Sequence, residues 1–144
     1  MNAKLKLQRK NVELKFVCIG LDTDIKKIPE FILKEKDPVY FFNKKIIEAT
    51  KEYAAAYKIN FAFYEVLGSY GFELIQKTLE EIPDDILIIA DAKRGDIGNT
   101  SEMYAKSVFE HFNFDSITIN PYMGYDSVEP FLNYKDKLNF ILGL

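Results

Sequence analysis

Histidine and cysteine are almost absent from this 144-residue chain, one of each, and no apolar run approaches the ~20 residues that would cross a bilayer. A lone cysteine, Cys18, excludes an intramolecular disulfide and fits a reducing compartment, for which the cytoplasm is the default. With so little histidine, Asp22, Asp24, Asp84 and Asp85 have no companions and no calcium-loop spacing, so no metal site is expected. Excess basic charge is also missing. Nineteen Lys and Arg against 22 Asp and Glu give a formal net charge of -3, which argues against a general nucleic-acid binder and leaves small anionic substrates open. The basic start (Lys4, Lys6, Arg9, Lys10) lacks a continuous apolar segment and a cleavage site, so it is no secretory signal. Residues 1–11 read instead as a basic surface lead-in. Repeats, low-complexity tracts and linker-like stretches are lacking as well.

What is present is enough for one compact domain over residues 1–144, with 48% apolar residues to build its core. Strand-like apolar runs recur at 16–21, 59–63, 86–90, 116–119 and 139–144, separated by amphipathic sequence of helical length. Such alternation predicts parallel strands with helical crossovers. Asp37 and Pro38 form an N-cap and first-turn proline, followed by a predicted buried stripe of Phe42, Ile46, Ala49, Tyr53 and Ala56. Leu74, Ile75, Thr78, Leu79 and Ile82 mark a second helix that Pro83 should end. A third begins at Asn99, with Glu102 spaced for a capping box and Tyr104, Val108, Phe109 and Phe112 on its apolar face. A short helix after Asp126 tolerates Pro130 only in its first turn. The apolar end at 139–144, with no closing helix, reads as the fifth strand of an unfinished (β/α)8 barrel, a fold of about 250 residues.

Polar residues gather where the strands end: Asp22 after the first, Asp91 and Lys93 after the third, Asn120 after the fourth. Parallel α/β proteins place their active sites there. Side chains alternate along a strand, so Asp91 and Lys93 should share a side, roughly 7 Å apart at Cα. Lys58, placed at the opening of the second strand, is either a solvated helix-end lysine or a partner for these charges. Lys58, Asp91, Lys93 and Asp96 would make an alternating network in which each ammonium stays protonated and able to donate a proton. A structural ion pair at the sheet end is the plainer reading of Asp91 and Lys93, but the added Asp96 in a glycine-flanked loop favours function. Gly95 and Gly98 permit a tight turn into the next helix, a weak signal for phosphate. The Arg94-Gly95-Asp96 tripeptide is attributed to chance, and His111 to a surface position near a helix end. Cys18 has no obvious base, so nucleophilic catalysis finds no support.

The string Asp91-Ala92-Lys93-Arg94-Gly95-Asp96-Ile97-Gly98-Asn99-Thr100 resembles the signature of the orotidine 5′-phosphate decarboxylases. Gly20-Leu21-Asp22, the segment Tyr57-Lys58-Ile59-Asn60-Phe61-Ala62-Phe63-Tyr64-Glu65 and Asn120-Pro121-Tyr122-Met123-Gly124 extend the likeness to the longer-looped branch of that family, from about Lys15 onward. The resemblance implies a barrel enzyme that converts orotidine 5′-phosphate to uridine 5′-phosphate, in the last step of pyrimidine nucleotide synthesis, without cofactor or metal. By position it implies Lys93 as proton donor to pyrimidine C6, Asp91 against the departing carboxylate, Lys58 on the ribose and Asp91, and Asp22 on a ribose hydroxyl. It further implies a homodimer in which Asp96, Ile97 and Thr100 serve the partner's site, with neither nucleic acid nor membrane as partner. The family's Thr-Ser-Asn segment after the fifth strand and its late phosphate-binding arginine have no counterpart in these residues. Two alternatives accompany this expectation: a noncatalytic barrel fragment that needs a complementary piece, and a sugar-phosphate decarboxylase or aldolase sharing Asp-x-Lys-x-x-Asp.

Overall fold

The computed structural model describes residues 2–143, so Met1 and Leu144, the outermost residues of the expected lead-in and fifth strand, lie outside the described residues. Five strands pair in parallel and in sequential order: β1 (Val17–Gly20), β2 (Ala54–Asn60), β3 (Leu87–Arg94), β4 (Ser116–Ile119) and β5 (Leu138–Ile141). This is the α/β arrangement expected of the first five units of a (β/α)8 barrel. Tyr57, Ile59, Ala90, Ile117 and Ile119 point to the outer face, where they join the main core. The helices that cover them are α2 (Pro38–Thr50), α3 (Ala62–Glu65), α4 (Ser69–Glu80), α5 (Gly98–Lys106) and α6 (Glu129–Leu132), and they follow α1 (Ala3–Val12). The alternate positions, Ala56, Lys58, Ile89 and Asp91 among them, share the inner face.

Local signals account for several boundaries. The Asp37 carboxylate caps α2 by accepting from Tyr40 N–H at 3.3 Å, with Pro38 in the first turn. Helix α4 ends at Glu80, ahead of Pro83, and Pro130 sits in the first turn of α6. At Gly71 a Cβ would lie 1.8 Å from the Tyr64 carbonyl oxygen, so only glycine lets α4 pack this closely on α3.

Five expectations need correction. Strand β2 lies over Ala54–Asn60, so Lys58 sits near the C-terminal end of the strand rather than at its opening, and Phe61 to Phe63 enter a helical turn. Helix α2 therefore stops at Thr50, before Tyr53 and Ala56, and its buried stripe is Val39, Asn43 and Ile47. Ala49 is exposed. Strand β3 runs on through Lys93, because pairing to its neighbours continues beyond the apolar segment. The capping box at the third helix does not form: α5 begins at Gly98, and Glu102 pairs instead with Lys106 at 2.6 Å. A π-helical turn, Ser107–His111, completes that helix and buries both Val108 and Phe109, while His111 is exposed and edge-on to Phe112.

The largest correction concerns the lead-in, which is a helix with buried cations. The Asn2 side chain caps α1, and Ala3 packs against Ala56, Leu87 and Ile89 at the base of the inner face. Lys6 reaches Asp115 at 2.7 Å, and Lys10 pairs with Asp85. Asp115 also accepts from Ile88 N–H at 2.9 Å, which satisfies the buried carboxylate from a second side. Two basic residues are thus stabilised under the sheet by carboxylates distant in sequence, just ahead of β3 and β4.

Candidate active site

The inner face changes character toward the C-terminal ends of the strands. In the aligned pair of β2 and β3, Ala56 lies beside Leu87, Lys58 beside Ile89, and Asn60 beside Asp91. Asp91, 8% exposed, is the centre of the rim: Oδ2 accepts from Lys58 Nζ at 2.8 Å and Oδ1 from Lys93 Nζ at 2.5 Å. Thr118 of β4 donates to the same Oδ1 at 3.1 Å. Burial alone would raise the Asp91 pKa, but hydrogen bonds from Lys58, Lys93 and Thr118 outweigh it and hold the carboxyl below its ordinary range. Burial likewise works against charge on Lys58, and there the Asp91 hydrogen bond with the Asp22 and Asp91 charges prevails, so the ammonium is held above its ordinary value. The site keeps an anion between two cations at neutral pH.

Asp22 joins from the loop after β1, with its two oxygens 3.3 and 3.4 Å from Lys58 Nζ. Both neighbours of Asp22 are tied into one buried polar network. Thr23 donates to Asn43 Oδ1 at 2.5 Å, and Tyr64 donates to the Leu21 carbonyl oxygen at 2.7 Å. The Asn43 amide, fully buried, donates in turn to Tyr64 Oη at 2.9 Å and to Thr78 Oγ1 at 3.1 Å. Burial pushes the Tyr64 hydroxyl up to about 12, so it remains a donor. The loop that presents Asp22 is therefore anchored to α2, α3 and α4.

The chain around Lys93 is shaped by a break in register. Ala90 pairs with Ile117, and the next pairing is Arg94 with Ile119, so residues 91–93 stand opposite Thr118 alone. Such a bulge re-aims side chains at the end of a strand. Lys93 adopts φ 49°, a left-handed conformation uncommon for a residue with a Cβ. Arg94 anchors the strand just beyond: its guanidinium pairs with Glu65 and lies 5.7 and 5.2 Å from the ring centroids of Phe61 and Tyr104. At Gly95 a Cβ would approach the Asn120 carbonyl oxygen to 2.3 Å, which only glycine avoids.

The structure thus brings Lys58, Asp91, Lys93 and Asp22 together, and replaces the expected fourth member of the charge network. Asp96 makes no ion pair with either lysine among the described residues; its Oδ1 accepts from Ile97 N–H at 2.8 Å, and its own N–H goes to Ser101 Oγ. Ile97 is 54% exposed, and Thr100 is exposed at the start of α5. Thr118 and Asn43 escaped the sequence reading. The alternation of polar and apolar residues in Ser116-Ile117-Thr118-Ile119 was the available signal for Thr118, because it puts the hydroxyl on the inner face. Among the described residues no group of three or more His, Cys, Asp or Glu has the geometry of a metal site. No described helix is long and apolar enough to cross a membrane.

In sequence and fold the chain matches known proteins of one family. The chain is similar to orotidine 5′-phosphate decarboxylase of Christiangramia forsetii, with 59% identity over 133 residues, covering 90% of this chain and 48% of the relative. The Porphyromonas gingivalis protein of the same name is 57% identical over 132 residues, again covering 90% and 48%. Among solved structures, Leishmania donovani OMP decarboxylase superposes with a TM-score of 0.87 at 38% identity, covering 98% of this chain and 53% of that one. The chain spans about half the length of the curated relatives it matches. Residues 15–144 match the Orotidine 5′-phosphate decarboxylase / HUMPS family, and the chain belongs to that family.

Proposed function

We propose that this chain carries the reacting half of an orotidine 5′-phosphate decarboxylase site. The observation that carries the reading is the Lys58–Asp91–Lys93 relay, with both lysines on one buried carboxylate. In the proposed reaction the bond from C6 to the carboxylate breaks, carbon dioxide leaves, and the electron pair remains on C6. The Lys93 ammonium donates its proton to that carbon, giving uridine 5′-phosphate, and solvent restores the lysine. An ammonium fixed beside developing negative charge stabilises the transition state without reorganising, and this is the main source of rate in the proposal. Repulsion between Asp91 and the substrate carboxylate is a secondary contribution. Lys58 orients Asp91 and the ribose, and Asp22 accepts from a ribose hydroxyl. No cofactor or metal has a role.

Asp96, Ile97 and Thr100 are assigned to the site of a second subunit in a homodimer; their position outside the Lys58–Asp91–Lys93 cluster supports this. Phosphate binding is assigned to residues outside this chain, and the cytoplasm is the proposed compartment. Remote phosphate binding helps drive chemistry at C6, so the chain alone is expected to turn over poorly. The decisive experiment assays the 144-residue chain alone and joined at its C-terminus to the second half of the P. gingivalis relative. The joined protein should decarboxylate orotidine 5′-phosphate and leave keto-sugar phosphates untouched. The opposite preference would assign the site to the sugar-phosphate chemistry of its rival, and robust turnover by the chain alone would remove the need for a complementary half.

A further inference from the structure

We propose that Thr118 is a positioning residue of this site, whose single hydroxyl sets both the Asp91 carboxylate and the Lys93 backbone. The proposal deepens the decarboxylase reading and rests on it for its catalytic consequence. Its basis is the register break: three residues of β3, 91–93, face one residue of β4, so the ladder offers Lys93 N–H no regular partner. Thr118 Oγ1 takes that N–H at 2.9 Å. Its own hydrogen goes to Asp91 Oδ1 at 3.1 Å. The polarity is fixed, because a backbone N–H only donates and an ionised carboxylate only accepts.

The consequence is geometric. Lys93 has to hold a left-handed backbone, and the Thr118 oxygen supplies the acceptor that this conformation requires. Asp91 then has a neutral donor on Oδ1 besides the Lys93 ammonium, so the carboxylate keeps its orientation when Lys93 has given up its proton. Ser116, two residues earlier on the same strand face, differs: its hydroxyl donates to the Ile88 carbonyl oxygen at 3.3 Å and touches neither site residue. It serves as the control. The groups bearing on Asp91 are Lys58 from β2, Lys93 from β3 and, through Lys58, Asp22 and the Cys18 thiol from the β1 side; β4 contributes only the Thr118 hydroxyl.

The test compares Thr118→Val, Thr118→Ser and Ser116→Ala with the unaltered chain. Carboxyl-carbon NMR should show the Asp91 midpoint in Thr118→Val raised by about half a pH unit or more, since a donor to the charged form is lost. Amide exchange at Lys93 should accelerate at least about tenfold. Thr118→Ser should restore both values, and Ser116→Ala should leave both alone. In the joined protein, Thr118→Val should lower kcat by about ten- to a hundredfold with KM within about threefold, again rescued by serine. Unchanged Asp91 titration and Lys93 exchange in Thr118→Val would overturn the proposal, as would equal effects from Ser116→Ala. These two readouts need no substrate, so a joined protein inactive on orotidine 5′-phosphate would overturn the function without touching the positioning.

Discussion

The two ends of the sheet use the same pair of residue types to opposite ends. At the base, Lys6 with Asp115 and Lys10 with Asp85 place each ammonium on a carboxylate, with both lysines buried. At the rim, Lys58 and Lys93 share Asp91, and Lys93 remains 52% exposed along its side chain. The base lysines are shut away from solvent and hold α1 under the sheet. A rim pair with one exposed member has protons within reach of a ligand. Exposure of the lysine, rather than residue identity, separates the buried pairs at the base from the pair proposed to react at the rim.

The sharpest way to break this contrast is at Lys93. In the joined protein, Lys93→Ala should reduce decarboxylation by at least about a thousandfold, while circular dichroism and the melting temperature stay close to those of the parent. Near-parental turnover would show that the rim lysine is as structural as those at the base. The converse substitution is Asp115→Ala, which strands the Lys6 ammonium in a buried position. Urea unfolding should register a loss of about 3–5 kcal/mol. A loss below about 1 kcal/mol would mean that the base pair is no more than a surface contact.

Asn43 tests the link between packing and rim. Asn43→Leu removes the partner of the Thr23 hydroxyl and should cost about 2 kcal/mol in urea unfolding, with weaker affinity of the joined protein for substrate through the Asp22 loop. The smallest effect is in pH dependence. Asp91 has a lowered folded-state pKa, so its contribution to stability is present above the unfolded value of about 3.9 and is lost as pH falls through the folded one. Lys58 has a raised pKa, so its contribution is complete below about 10.4 and is lost as pH rises through the higher folded value. The difference in stability between the chain and Asp91→Asn should therefore be flat from about pH 5 to 9 and shrink on the acid side. A steep change within that plateau would contradict the assigned directions.

The sequence was most readable where local chemistry alone decides. Asp37 with Pro38, Pro83 and Pro130 set helix ends through backbone constraints that need no distant partner, and β4 matches its apolar run to the residue. Strand β2 was misplaced because Ala54-Ala55-Ala56 has helical propensity, which the sheet overrides. The small Ala56 side chain leaves room at the base of the inner face where Ala3 of α1 packs. At the rim, Asp91 and Lys93 were legible as partners, although a bulge and a left-handed Lys93, not regular strand alternation, bring them together. The substitution of Asp22 for Asp96 in the charge cluster was not, since it depends on how two loops are carried by different helices. The buried lysines of α1 were illegible for the same reason: nothing in a short basic segment announces carboxylates that arrive far along the chain.

That separation has a consequence for the order in which the molecule assembles. Lys6 meets Asp115 across 109 residues and Lys10 meets Asp85 across 75, whereas β2 and β3 lie within a single crossover of each other. A chain emerging from its N-terminus displays α1 long before either carboxylate exists to receive it. The Lys6 pair can close only once Asp115, just ahead of β4, has been made, so this contact of α1 forms after β1, β2 and β3 are available.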